Sequence, residues 1–586
     1  MSRPHHDGSE LYVSDPAPAL GDTVTVFVRV PRGTGVSRVH MRWVRDGEPI
    51  FTSLKVDHRR GTDTWWRAEI TAHNPITRYR FLLGTTSGVR WLTAYGVTNH
   101  DVPDSTDFRL VAQPPAPQWA RDAVIYQIFP DRYARSPAAD RRETPDWAIR
   151  ARSWDEPVVP GPDAVRVLHG GDLDGVARRL DHVTALGADT IYLTPFFPAR
   201  SNHRYDASGF DRVDPLLGGD RALERLAAAA RDRGVRLIGD LTTNHTGDAH
   251  PWFTSRPDFY YPGVSWLGVP SLPKLNWASA ELREEFRAVV RRWLSPPYGL
   301  SGWRIDVANM TARLGADDRN HEVAALLRAA VHEARADGLL IAEHGHDATG
   351  DLDRDGWHGT MNYAGFTRPV WSWLRAETAL FDGLGNPEEL PVREASALVA
   401  TMSAFAAQMS WRSWEASWSL LGSHDTARIR TVVGDAERQH VAAGLLFTLP
   451  GTPMVFAGDE LGLTGGGNES ARAPMPWDTP DSWDTKTLGR YRDLIALRRG
   501  SPALTRGGLR WVHADGDVLM FLRESRSQSV LVLAARASAD RLKLTGLPPG
   551  TTLENLYGGA PPLHIETDGS AVIDIAGPAV QVWVIP

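Results

Sequence analysis

The chain contains no cysteine in its 586 residues. That absence excludes disulfide staples and thiolate chemistry, and it fits a reducing compartment. Long hydrophobic runs are missing too, since no stretch approaches the ~20 apolar residues needed to cross a bilayer. The first ten residues, MSRPHHDGSE, hold no apolar core of a secretory signal. The expectation is a soluble, cytoplasmic protein. Excess positive charge is also lacking. The formal net charge is -7, which gives neither nucleic acid nor an anionic membrane surface much to hold. With 42% hydrophobic and 23% charged residues and no low-complexity tract, the composition is that of an ordinary globular protein.

What is abundant is tryptophan. There are 22, well above a usual share of about 1%. Large aromatic cores would use them, and so would stacking platforms for the flat apolar faces of sugar rings or bases. Composition alone does not separate the two. The length exceeds what a single hydrophobic core supports and suggests about two to four domains.

Residues 1–111 read as an all-β unit. In DTVTVFVRV, Val24, Val26, Val28 and Val30 share one face, and VSRVHMRWV, DTWWRAEIT and TRYRFLLG follow between turn-rich segments. Short strands at regular spacing predict a β-sandwich. AQPPAPQ, residues 112–118, reads as a linker, because its prolines remove backbone donors and favour extended chain. From 119 to 504 apolar strand candidates alternate with amphipathic helices such as DRALERLAAAARDRG and LREEFRAVVRRWL. The strand candidates are 123–130, 189–197, 235–243, 302–308, 339–344, 359–363, 417–425 and 451–460. Eight β–α repeats predict a (β/α)8 TIM barrel rather than a doubly wound sheet. A proline- and aromatic-rich excursion, 245–280, is inserted after the third strand, and residues 505–586 return to short strands as a C-terminal β-domain.

Barrels of this kind place their chemistry at the C-terminal ends of the strands. Here those ends carry Asp240 with Asn244 and His245, Arg304 with Asp306, Glu343, and His424 with Asp425. One acidic residue at a strand end reads equally well as a helix cap. Four such strands converging on one rim point to function. Side chains alternate along a strand, so Arg304 and Asp306 share a face. Burying them as a mere salt bridge is rarely a net gain. Three carboxylates with no cysteine or activated serine suit acid/base and carboxylate-nucleophile chemistry. A retaining glycosidase uses such a pair, one carboxylate attacking and one carboxylic acid donating, about 5–5.5 Å apart. On this reading Arg304 keeps Asp306 ionised by lowering its pKa. Glu343, after the apolar LLIA, is the acid whose pKa is raised.

The stretches DLTTNHTG (240–247), GWRIDVANM (302–310), IAEHGHD (341–347) and LLGSHDTAR (420–428) resemble, in order, the four motifs of the α-amylase superfamily, glycoside hydrolase family 13. YQIFPDRY (126–133) and HRYDASGF (203–210) resemble it too. The resemblance implies Asp306 as nucleophile, Glu343 as general acid/base and Asp425 as the third carboxylate. It implies Arg304, His245 and His424 as groups that bond the sugar or orient the carboxylates, with Asp240 in support. Tyr205 would stack on the reacting ring, with His203 and Asp206 beside it. LPKLN (272–276) resembles a motif of the neopullulanase and cyclomaltodextrinase group, and DTWWRAEIT with the RYRFLLG that follows resembles a family 34 carbohydrate-binding module. These imply a hydrolase of small cyclic or linear malto-oligosaccharides. They also imply a homodimer in which the partner's N-terminal domain narrows the cleft.

Three departures qualify the resemblance. Gly345 stands where the group has an aromatic residue after the acid, which leaves α-1,4 against α-1,6 preference open; Trp357 is the candidate to compensate. Phe210 stands in place of a tyrosine. DRYARSPAADRRE offers few oxygen ligands beyond Asp140, with Asp172 in HGGDLDG as a second, where calcium needs six to eight. No metal or cofactor is therefore expected to be required, and a tight calcium site is not. Two other classes compete. A metal-dependent barrel hydrolase is suggested by His344-x-His346, though the first strand lacks its His-x-His. A non-catalytic glucan-binding barrel would typically have lost a carboxylate. Within the superfamily, a specialist hydrolase or transglycosylase for branched or cyclic maltosyl oligosaccharides with α-1,6 links is the alternative.

Overall fold

The computed structural model describes residues 3–377 and 388–586. Eight parallel strands close into a barrel: Ile125–Ile128, Thr190–Leu193, Arg236–Thr242, Gly302–Asp306, Leu339–His344, Gly359–Asn362, Trp418–Leu420 and Thr452–Phe456. They pair in chain order, and the eighth returns to the first. Every strand falls within its predicted segment. They read as near-continuous apolar runs because both of their faces are buried, as parallel strands between helices require. The seventh is the shortest relative to expectation. Its pairing stops at Leu420, and a turn closed by Ser423 and Thr426 takes over. His424 and Asp425 thus sit on that turn, at the strand's C-terminal end.

Alternation along the fourth strand decides what reaches the barrel mouth. Trp303 packs outward against Phe196 and Phe197, with ring centroids 6.2 and 6.3 Å away. Arg304 and Asp306 face the other way. In register, Asp240 lies beside Arg304 and Thr242 beside Asp306. Gly239 makes room for the outward ring, since a Cβ there would meet Trp303 at 2.5 Å. The barrel interior below the site is filled by Tyr192, Ile238, Ile341, Met361, Trp418 and Met454. Outside, the helix Gly219–Asp232 buries Ala222, Leu223, Leu226, Ala227 and Ala230, the i, i+4 stripe its sequence announces. The helix Ala280–Leu294 begins at Ser279, whose side chain accepts from the Leu282 N–H.

The excursion after the third strand contains a short helix, Pro251–Ser255, and an antiparallel hairpin, Tyr260–Ser265 with Pro273–Leu275. At the N-terminus two antiparallel sheets face each other. Val24, Val26, Val28 and Val30 pack against Met41, Tyr79, Phe81 and Leu83 of the larger sheet. Residues beyond Gly508 form a six-stranded antiparallel sheet and a separate strand pair. The proline-rich connection gives way to helix one residue earlier than its sequence suggests. Pro117 occupies the N-cap position and Gln118 opens the helix Gln118–Asp122.

Candidate active site

Arg304 is fully buried and is the hub of the barrel mouth. Its Nη1 donates to both carboxylate oxygens of Asp240, at 2.9 and 3.0 Å, and to Asp306 Oδ1 at 2.9 Å. Its Nη2 lies 2.9 Å from Glu343 Oε1. One planar guanidinium therefore spans carboxyls from the third, fourth and fifth strands. Asp306 and Glu343 sit on its two terminal nitrogens, which keeps their carboxyls within about 8 Å of each other, the compass of a paired-carboxylate site. The other oxygen of Glu343 accepts the Val307 N–H at 2.7 Å. Val307 presents that N–H from a left-handed conformation, φ 36°, which a β-branched residue adopts only under strain.

A second chain of hydrogen bonds reaches Asp240 from the far side. Gln127 Nε2 donates to His424 Nδ1 at 2.9 Å, so the His424 proton is on Nε2. From there it is given to the Tyr205 hydroxyl at 2.7 Å, and Tyr205 donates to Asp240 at 2.8 Å. The Tyr205 and His424 rings stack nearly parallel, 5.4 Å apart. Tyr192 adds a further donor to Asp240 at 2.5 Å. Asp425 takes Arg472 Nη2 at 3.0 Å and lies 3.2 Å from His424 Nε2.

Charge balance follows from this geometry. Burial pushes the carboxyls of Asp240, Asp306 and Glu343 up; Arg304 pulls each of them down, and neighbouring carboxylates push Asp306 and Glu343 further up. For all three the balance lies upward. The expectation that Arg304 lowers Asp306 is thus corrected. The pull is real, but burial and the neighbouring carboxylates together exceed it. Three carboxylates around one cation would carry excess negative charge in a dry site, so the three carboxyls titrate together and at higher pH than free ones. Asp425 goes the other way: burial raises it, but His424, Arg472 and Arg304 hold it below the usual carboxylate range. His424 is kept neutral by burial, its pKa brought down to about 3.

Of the residues singled out in the sequence, Asp240, Arg304, Asp306, Glu343, Tyr205, His424 and Asp425 converge on this cluster. His203 stacks on Tyr205 at 5.8 Å and accepts the Tyr205 N–H on Nδ1. His245 stands at the rim, buried, with Nε2 unpartnered and its pKa brought down to about 3 by burial. Asp206 serves its own loop, accepting from the Arg200 N–H and the Ser201 hydroxyl. Trp357 is a correction. It is 2% exposed within the main hydrophobic core, so it offers no face to a ligand. Phe210 likewise packs inward, against Phe197, Trp252 and Phe286. A Cβ at Gly345 would meet nothing within 4 Å, so the missing aromatic leaves open space. Sequence reasoning overlooked Gln127, Tyr192, Val307 and Arg472. Gln127 and Tyr192 lie in strands that read as plain core, whereas Arg472 gave no signal.

Asp172, one of the two candidate cation ligands, is already engaged by protein donors. Its buried carboxylate accepts from the Ser136 N–H and hydroxyl, the Gly175 N–H and Arg142 Nη1 at 2.7 Å. Asp140 pairs with Arg135 and Arg150. Arginines stand where a cation would need oxygen ligands, so these residues do not fit calcium. His344 is engaged by Asp351, itself held by Arg313. Among the described residues no three His, Asp or Glu side chains come together as a metal-binding group.

The catalytic-domain model of the α-amylase family matches residues 127–261 and 258–486. The chain belongs to the α-amylase family of glycoside hydrolases. Neopullulanase 2 of Thermoactinomyces vulgaris is 32% identical over 461 residues, 74% of this chain and 72% of that protein. A cyclomaltodextrinase of a Bacillus species is 30% identical over 504 residues, 80% of this chain and 83% of its own length. Among solved structures, the cyclic α-maltosyl-(1→6)-maltose hydrolase of Arthrobacter globiformis, in complex with that sugar, superposes with a TM-score of 0.65 at 30% identity, covering 80% of this chain and all of its own. The overall fold is what the superposition shows this α-amylase-family chain to share with that hydrolase.

Proposed function

We propose that this protein is a retaining α-glucoside hydrolase of small cyclic or linear malto-oligosaccharides. Asp306 attacks the anomeric carbon while Glu343 protonates the departing glycosidic oxygen, leaving a glycosyl ester on Asp306. Glu343, now ionised, takes a proton from the incoming water, whose oxygen displaces the ester and restores both groups. Asp425 faces the positive charge that develops on the ring. It is suited to this because Arg472, 3.0 Å away, keeps it ionised. The observation that carries the reading is the shared guanidinium. Asp306 and Glu343 lie on the two nitrogens of Arg304, and burial and mutual repulsion push both carboxyls upward, the setting in which one carboxylate and one carboxylic acid can work as a pair.

The space at Gly345 and the likeness to the cyclic maltosyl-maltose hydrolase favour a second substrate reading, compact oligosaccharides containing α-1,6 links. Transfer to a sugar acceptor rather than water belongs to the same site. A homodimer through the N-terminal sheets and a cytoplasmic location complete the proposal. In support, no helix among the described residues is long and apolar enough to cross a membrane. No calcium is invoked, because Arg142 serves Asp172.

The test is a panel of cyclodextrins, pullulan, maltotriose and branched cyclic oligosaccharides, with the first-formed anomer followed by NMR. Release of the α-anomer supports the double displacement, and release of the β-anomer refutes it. With Glu343→Gln and α-maltosyl fluoride, a glycosylated peptide containing Asp306 is expected by mass spectrometry.

A further inference from the structure

The hairpin inserted after the third strand is fastened to the rim of the site. Lys274 Nζ donates to Asn244 Oδ1 and to the Met310 carbonyl, the latter at 2.9 Å, and the backbones of His245 and Lys274 pair directly. Lys274 is buried, which brings its pKa down to about 8. This anchor carries Trp266 to a point 5.6 Å from the His245 ring, tilted by 35°. Trp266 keeps part of its surface exposed, yet its Nε1 is buried without a partner, as is His245 Nε2 beside it. Unpaired buried nitrogens on two neighbouring rings at a site rim are costly to maintain. The next residue, Leu267, adopts φ 48° and is 72% exposed. A non-glycine residue in that region stores strain, a feature that concentrates at ligand-gripping segments.

We infer that Trp266 is the aromatic residue that sets substrate preference here, its ring supplying the flat face that Gly345 leaves out on the other rim. This rests on the glucan-hydrolase reading above. The ring packs on a glucosyl unit flanking the bond being cut, and the two unpaired nitrogens receive sugar hydroxyls. A wall of this kind, held on a stapled hairpin, rewards compact and cyclic substrates, whose neighbouring units reach the ring together. Aromatic stacking of this sort binds by the apolar face of the sugar and tolerates its linkage.

The experiment compares Trp266→Ala and Trp266→Phe with wild type on β-cyclodextrin, maltotriose and pullulan, by steady-state kinetics on protein with wild-type circular dichroism. For Trp266→Ala, KM for β-cyclodextrin is expected to rise at least tenfold with kcat within about threefold, and KM for maltotriose to rise less. Trp266→Phe keeps the ring and is expected to retain at least half of the lost discrimination. KM within twofold of wild type for every substrate in Trp266→Ala overturns the inference. So does a fall in kcat alone, which would mark Trp266 as a prop for His245. A Trp266→Phe protein as poor as Trp266→Ala overturns the stacking role. If wild type cleaves none of these glucans, the hydrolase reading itself falls; if it cleaves them and Trp266→Ala is unchanged, only this inference does.

Discussion

Replacing Arg304 by methionine removes the one cation that Asp240, Asp306 and Glu343 share, at N–O distances of 2.9 Å on each. A unit charge about 4 Å from a carboxylate is worth about 4 kcal/mol at an effective dielectric near 20, or about 3 pKa units. Asp306 is already held above the usual carboxylate range by burial, so losing the cation raises it further and lowers its ionised fraction at neutral pH. The expected result is a fall of more than about tenfold in kcat/KM at pH 7. The acid limb of its pH profile should move upward by about two to three units, because the nucleophile ionises later. Arg304→Lys keeps a charge but loses the fork, so a single ammonium reaches fewer of the three carboxyls. Its limb should shift by about one unit. The assay is kcat/KM against pH on maltotriose, for variants whose circular dichroism matches wild type. A fall in rate with an unmoved acid limb would show that Arg304 acts by shape alone. A limb moving downward, or activity within tenfold at pH 7, would refute the electrostatic argument.

Tyr205→Phe keeps the ring stacked on His424 but removes the hydroxyl that gives its proton to Asp240. A lost hydrogen bond to a charged group is worth about 1.5–3 kcal/mol, so kcat should fall by roughly 10- to 100-fold with KM little changed, as steady-state kinetics will read. Stability should decline in mild acid. Burial brings His245 and His424 down to about 3 and His6, His250 and His440 to about 4, from 6.5. The unfolded chain therefore takes up protons between pH 6.5 and 4 that the fold refuses, so the contribution is complete above pH 6.5 and is lost as pH falls through that window, which calorimetric Tm values will follow. Excess EDTA should leave both Tm and activity unchanged. Arg142→Ala should lower Tm by about 2–5 °C, because it leaves the buried Asp172 without its cation.

The barrel was legible in the sequence because parallel strands buried on both faces leave apolar runs, and the repeating helix between them fixes the count. Strand ends were less legible. The run 417–425 reads as one strand, yet a hydroxyl turn at Ser423 and Thr426 ends the pairing after three residues. That turn is what tips His424 and Asp425 into the mouth. The wrong expectation for Trp357 has a simple cause: aromatic residues look alike in sequence whether they line a cleft or fill a core, and only burial tells them apart. Trp266 was invisible for the converse reason, since nothing in a proline-rich loop says which ring comes back to the rim.

The sign of the Asp306 shift separates what neighbours in sequence reveal from what neighbours in space decide. Alternation places Arg304 and Asp306 on one face, and two residues apart they read as an isolated pair in which the cation must win. The fold brings in Asp240 from the preceding strand and Glu343 from the following one, each claiming the same guanidinium. Three buried carboxyls around one positive charge behave as a coupled cluster, raised by burial and by one another, rather than as a simple ion pair. A simple ion pair would hold both groups ionised and leave no acid to protonate the leaving oxygen. Arg472, 47 residues beyond Asp425 in sequence, completes the division of labour by keeping that third carboxylate outside the shared pool. The two kinds of carboxyl that the chemistry needs are therefore set by how few cations the mouth contains and where each one points.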